Sequence, residues 1–277
     1  AQLWQDITTL SSDKMLGRKT QTAGAQLARE YLRSRFHELG LLSFNNQSGN
    51  YFTPFTYPKL FAEVEGTNVM AYLPGEVNRD KYIVISAHYD HLGKLGNTIY
   101  NGADDNASGV AALLAIAKSI TQSPTQHSII FLATDSEETG LYGAKAFVRN
   151  PPVDLSQIVY NLNLDMLSQG GRRNRLYVSG ASSQNGLKTV VDRAIKSAGL
   201  CLQANHSSAV RAYSSNVSKV DWRNASDHAA FKRANIPYLF VGVSDHRFYH
   251  TQNDNITNID REFHVAATEA SLHLLRL

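Results

Sequence analysis

The acids and histidines of this chain gather where short apolar runs end. Tyr82 to Ala87 runs into His88-Tyr89-Asp90-His91, and Ser128 to Ala133 into Thr134-Asp135-Ser136-Glu137-Glu138. Ile158 to Leu164 runs into Asp165, and Pro237 to Val243 leads on to Asp245, His246, Tyr249 and His250. Asp104-Asp105 stands just ahead of the apolar segment Val110–Ala117. Crowded carboxylates repel and raise one another's pKa unless a cation neutralises them. Imidazole nitrogen and carboxylate oxygen without thiolate suit zinc or a related divalent ion in a catalytic site. Two ions sharing one bridging carboxylate need about five protein ligands. His88, Asp105, Glu138, Asp165 and His250 are on offer.

Each signal has a plainer reading beside it. In His88-Tyr89-Asp90 the carboxylate two residues on can accept the second ring N–H of a metal-bound imidazole, but a surface His beside an unrelated Asp looks the same. Glu137 and Glu138 point in different directions, so one can ligate while the other takes a proton from water and passes it to a leaving amine. Acids also collect at helix N-termini. An Asp or Asn N-cap explains one acid of Gly102-Ala103-Asp104-Asp105-Asn106-Ala107-Ser108-Gly109, not two beside an apolar helix. Asp227 is expected as the N-cap of its helix, and Thr251 to Asn255 as a polar loop.

The elements that must hold these residues follow from periodicity. The β-branched runs at 68–73, 82–87, 128–133, 158–164, 176–179 and 237–243 read as strands. Helical segments are expected over 21–39, with Gly40 closing the first, and over 108–121, 141–150, 185–198, 227–234 and 261–277. Residues 44–66 read as irregular or edge strand. Alternating strands and helices imply an α/β fold, a mostly parallel mixed sheet with helices on both faces in a three-layer sandwich. In such sheets ligands bind beyond the carboxyl ends of the strands. A length of 277 residues suggests just under two domains at about 150 each. No linker divides the chain, however, so one domain is expected over 1–277, with N-terminal helices (1–40) packed onto it.

Composition removes several classes of function. Net charge is +3 with a pI near 8.9 and no basic run, which argues against nucleic acid as a partner. No stretch approaches about 18 apolar residues, so no membrane span is expected. The single cysteine, Cys201, excludes an internal disulfide and reads as a small buried hydrophobe.

Taken together, the segments resemble the di-zinc aminopeptidases of metallopeptidase family twenty-eight, the bacterial leucyl aminopeptidase type. The resemblance rests on five ordered motifs: Ala87 to Gly93, Gly102 to Gly109, Asp135 to Gly143, Asn163-Leu164-Asp165-Met166 and Tyr249-His250-Thr251. It extends to Met15-Leu16-Gly17-Arg18 and to Ser226-Asp227-His228-Ala229-Ala230-Phe231. It implies a zinc exopeptidase-like fold and two Zn2+ ions, other divalent ions being possible. His88 and Asp165 would hold one ion, Glu138 and His250 the other, and Asp105 would bridge them. Glu137 would be the general base, Asp90 would orient His88, and Tyr249 is a candidate donor to the oxyanion. Hydrolysis of the N-terminal peptide bond of peptides with a free N-terminus is implied. Leu167 and Ser168 stand where many relatives have glycine, and the pocket loop between Ala204 and Asn224 is expected to differ.

Glutaminyl cyclase, a carboxypeptidase or a dipeptidase on the same fold are the enzymatic alternatives, and a non-catalytic binding module is the remote one. His91 and His246 are expected as satisfied structural histidines, as are His37, His127, His206, His264 and His273. A start at Ala1 fits removal of an export signal, so a secreted or periplasmic monomer is expected.

Overall fold

The structure is a computed structural model that describes residues 1–44, 49–60, 62–184, 186–204 and 221–275. Helices α1 (Gln2–Leu10) and α2 (Ala23–Glu38) open the chain and are followed by strands β1 (Phe52–Lys59), β2 (Ala62–Leu73), β3 (Asn78–His88), β4 (Gly93–Leu95) and β5 (Thr98–Tyr100). Then come α3 (Gly109–Gln122), β6 (His127–Thr134), α4 (Tyr142–Arg149), β7 (Ile158–Leu164), β8 (Arg175–Ser179), α5 (Leu187–Ser197), β9 (Cys201–Ala204), α6 (His228–Arg233), β10 (Tyr238–Gly242) and α7 (Arg261–His273).

Eight strands form one sheet in the order β1-β2-β6-β3-β7-β10-β8-β9, and β4 pairs with β5 as a separate ribbon. The four central strands β6, β3, β7 and β10 are parallel. β2 and β8 join them antiparallel, and β1 pairs antiparallel with β2. Four strand ends that the sequence loads with acids and histidines therefore meet at one edge.

Alternation along the strands sorts the core into two layers. Ile83, Ile85, Ile129 and Phe131 face the layer that holds Ile7, Leu32 and the apolar face of α3. Val84, Ile130 and Leu132 face Phe147 of α4 and Phe231 of α6. Helices thus cover both faces, and α3 is buried along most of its length, as its apolar sequence requires.

Several boundaries sharpen or differ. Thr22 caps α2 by accepting from the Ala25 N–H, and Gly40 takes the left-handed φ of +68° that ends it. The stretch expected as irregular or edge strand, 44–66, supplies the β1–β2 hairpin; its Pro54 and Pro58 suit the sheet edge where β1 lies. Cys201 is exposed, not buried: β9 is the other edge, and its alternation turns Leu202 inward and Cys201 out. His206 and the pocket loop over 205–220 lie outside the described residues. Among the described residues, no helix is long and apolar enough to cross a membrane.

Candidate metal centre

β3 ends on His88, one residue past Ala87, and the parallel neighbour β7 ends on Leu164, so Asp165 arrives beside it. His88 Nε2 lies 3.4 Å from Asp165 Oδ1 and 3.2 Å from Asp105 Oδ1. On the other side, His250 Nε2 lies 3.0 Å from Asp105 Oδ2 and 3.2 Å from Glu138 Oε2. The five residues thus fall into two sets, each an imidazole and a carboxylate, with one Asp105 oxygen turned to each.

Those separations fit cations. Tetrahedral ligands about 2.0–2.1 Å from a zinc ion stand about 3.3 Å from one another. Asp165 Oδ1 and His250 Nε2 are buried with no hydrogen-bond partner among the described residues. Buried polar atoms are rarely left so unless an ion or water serves them. Glu137 and His91 also lie close, since ligand atoms of His88, Glu137 and Asp165, and of His91, Asp105 and Glu138, gather within 4.8 Å. The donor set of nitrogen and carboxylate oxygen suits zinc.

Electrostatics point the same way. Burial opposes the charge of His250, yet Asp105 and Glu138 carry its pKa up to about 10. Burial alone raises Asp105, but the His250 and His88 rings beside it hold it well below the ordinary carboxylate range. Burial pushes Glu137 well up; His88 opposes this, while Asp165, Asp227 and Glu138 add to it. Without metal, protons on the imidazoles balance these carboxylates, and a bound divalent ion would take the place of those protons.

A surrounding layer fixes each ligand. Asp165 Oδ2 accepts from Ser226 Oγ at 2.6 Å, and Ser226 in turn accepts from Asn163, which accepts from Ser86. That buried chain leaves only Oδ1 facing His88. Asn106 ties the Asp105 turn to β7: its Nδ2 donates to Leu164 O, and its Oδ1 accepts from Gly109 and Met166 N–H. The N–H of Gly109, the first residue of α3, is therefore served by Asn106 and not by Asp104 or Asp105.

The structure redistributes several roles. Asp90 meets His88 Nδ1 through its main-chain oxygen at 3.1 Å, with its nearer carboxylate oxygen 3.7 Å away. The Asp90 carboxylate instead accepts the N–H groups of Glu137 and Glu138, at 3.0 and 3.3 Å. Asp90 thus connects the β3 and β6 loops. Tyr249 stacks on His250 with ring centroids 3.9 Å apart. Burial and the Asp105, Glu138 and Asp165 carboxylates push its phenol well up, so it keeps its proton. Asp227 makes no capping bond; its carboxylate accepts from the Thr134 hydroxyl at the end of β6.

Other neighbours support the site where a plain structural role is expected. His91 Nδ1 lies 2.7 Å from Glu138 Oε1, leaving Oε2 turned to His250. His246 Nε2 bonds Asp104 Oδ2 at 2.9 Å, and Asp104 Oδ1 accepts both the N–H and the hydroxyl of Ser168. Ser168 thus gives a side-chain bond that glycine would lack. Asp254 in the polar loop bonds the backbone of Asp104 and Asp105. Only the strand-end position of His91 and His246 hints at these contacts. His264, by contrast, is the satisfied core histidine expected, with Nε2 3.0 Å from Ser108 O.

Comparisons with known proteins bear on the family and the fold. The sequence profile of peptidase family M28 matches residues 68–275. The chain is 30% identical over 195 residues to the alkaline phosphatase isozyme conversion protein of Escherichia coli (strain K12), covering 65% of this chain and 54% of that protein. It therefore spans about half the length of that relative. Its fold matches BSAP, a zinc aminopeptidase from Bacillus subtilis, with a TM-score of 0.77, 16% identity and coverage of 99% of this chain and 93% of that one. It also matches a glutaminyl cyclase from Bacteroides thetaiotaomicron, at 0.75, 20%, 99% and 96%. The chain belongs to peptidase family M28.

Proposed function

We propose that this domain is a metal-dependent aminopeptidase that removes the N-terminal residue of peptides, with two zinc ions held by His88 and Asp165, by His250 and Glu138, and by Asp105 between them. The observation that carries the reading is the division of Asp105: one oxygen serves each imidazole–carboxylate pair. Similarity in fold to a zinc aminopeptidase supports it.

Bound at these residues, divalent ions supply Lewis acidity and lower the pKa of water. The chain's own groups do the rest. Glu137 stands beside His88 and Asp165, where it takes the proton of the attacking water and returns it to the departing amine. Burial raises its proton affinity above that of an ordinary carboxylate. The protonated phenol of Tyr249 is a donor to the developing oxyanion. Asp165 and Glu138 offer negative charge to a free α-ammonium group.

Glutaminyl cyclisation is the second reading, favoured by the cyclase match. Mass spectrometry of three peptides separates the possibilities: one with a free N-terminus, its acetylated form, and one beginning with glutamine. Loss of the first residue from the free peptide alone supports the aminopeptidase. Loss of ammonia from the glutamine peptide, with the others intact, would replace it with the cyclase.

A further inference from the structure

Arg18 is fully buried and forms no ion pair with a carboxylate among the described residues. Its guanidinium instead donates to four main-chain carbonyls: Nε to Tyr89 O at 2.7 Å, Nη1 to Leu10 O at 2.5 Å and Asn101 O at 2.6 Å, and Nη2 to Gly102 O at 2.9 Å. Two of these acceptors belong to the metal site. Tyr89 lies between His88 and Asp90, and Gly102 is three residues before Asp105. One planar, rigid fork therefore holds the loop that follows β3 against the turn that precedes α3.

The delivery of this side chain is itself built. Leu16, Gly17 and Arg18 all take left-handed φ values, +50°, +67° and +51°. A Cβ at Gly17 would stand 2.4 Å from Tyr100 O and 2.5 Å from Gly93 O, so only glycine lets the turn seat against the β4–β5 ribbon. Gly102 is equally constrained, since a Cβ there would meet Asp105 O at 2.2 Å. Burial lowers the pKa of Arg18 to about 10, and Asp254, Asp105, Asp90 and Glu138 oppose that shift, so it stays charged at neutral pH.

We infer that Arg18 is a positioning residue for the metal site: by bonding Tyr89 O and Gly102 O together, it sets the separation of His88 from Asp105 and hence the affinity for the ion between them. The inference rests on the metal reading proposed above. It assigns to Met15-Leu16-Gly17-Arg18 a role in metal affinity, although the segment contributes no ligand. By linkage the coupling is reciprocal, so a bound ion also tightens the Arg18 segment.

The test is zinc affinity, measured by chelator competition on the full chain for wild type, Arg18→Lys and Arg18→Met. Arg18→Lys keeps the charge and loses the fork. Both variants are expected to bind zinc about 10–100-fold more weakly, the usual effect of disturbing groups that orient ligands. Wild-type affinity in Arg18→Lys would overturn the inference, whether or not Arg18→Met is weakened. Wild type that binds no zinc would instead sink the metal reading itself. Hydrogen exchange on wild type keeps the question open to test if the variants do not fold. Residues 15–18 should exchange more slowly with zinc than with chelator, and by more than α5, which packs on α7 and β9 and carries none of the proposed ligands. No change at 15–18, or one no larger than in α5, would overturn the inference.

Discussion

Asp254 accepts the main-chain N–H of Asp105 at 3.0 Å, so a residue four positions past His250 grips the backbone beneath the carboxylate that divides between the two imidazoles. It accepts the N–H of Asp104 as well, at 2.8 Å. Asp254→Ala leaves both donors buried and unpaired. An unfolding free energy lower by about 2–3 kcal/mol is expected, measured by urea denaturation of metal-free protein. Zinc affinity should fall with it. Unchanged stability would mean that the loop holds its place without this clasp.

Glu137→Gln removes the proton acceptor and keeps the shape of the side chain. Turnover should fall by about 10²–10⁴-fold, while elemental analysis still finds the wild-type metal content. Loss of metal in this variant would make Glu137 a ligand, an arrangement its position near His88 and Asp165 also allows. Near-normal turnover would remove it from the chemistry altogether.

Tyr249→Phe preserves the stack on His250 and deletes one hydroxyl. If the phenol donates to the oxyanion, kcat should fall by about 10²-fold with little change in KM. A change in KM alone would make Tyr249 part of the wall that binds substrate.

His228 gives a stability prediction that is independent of the metal. Burial drives its pKa down to about 3, its Nε2 pairs with Trp222 O at 2.7 Å, and its ring stacks on Phe240. Because the folded value lies below the ordinary 6.5, the unfolded chain takes up the proton first as pH falls. The contribution is complete above about 6.5 and is lost towards about 3, at up to about 1.4 kcal/mol per unit. Burial raises Asp227 to about 7, which acts in the opposite sense. The informative quantity is therefore the difference between wild type and His228→Phe. That difference should shrink as pH falls from 6.5 to 4.5, read from urea midpoints at each pH. A difference independent of pH would mean that His228 is not held neutral.

The strands that lead to His88, Glu138 and Asp165 are readable because their runs are mostly apolar, with Ser86, Asn161 and Asn163 as buried exceptions, and the acids and histidines follow where the runs end. The strand ends offer the candidate ligands for the same reason, while the choice of Asp105 over Asp104 and of Glu138 over Glu137 as ligand rests on the family resemblance. What surrounds them is not legible. Ser226, Asp254 and Arg18 reach the site from segments more than 60 residues distant in sequence from the groups they hold, through bonds that periodicity does not encode. The Asp90 carboxylate was placed on His88 by its spacing, yet the turn at Glu137 presents two N–H groups that claim it. Residues 44–66 read as irregular or edge strand rather than as a hairpin because the prolines and exposed polar positions of β1 suit an edge and weaken the alternating signal.

Zinc added back to chelator-stripped protein, with bound metal and peptide hydrolysis measured on the same samples, tests the central claim most directly. The account predicts saturation at two ions per chain, full hydrolysis of a free N-terminal residue only as the second ion fills, and loss of both sites in Asp105→Ala. Saturation at one ion with full turnover would contradict it.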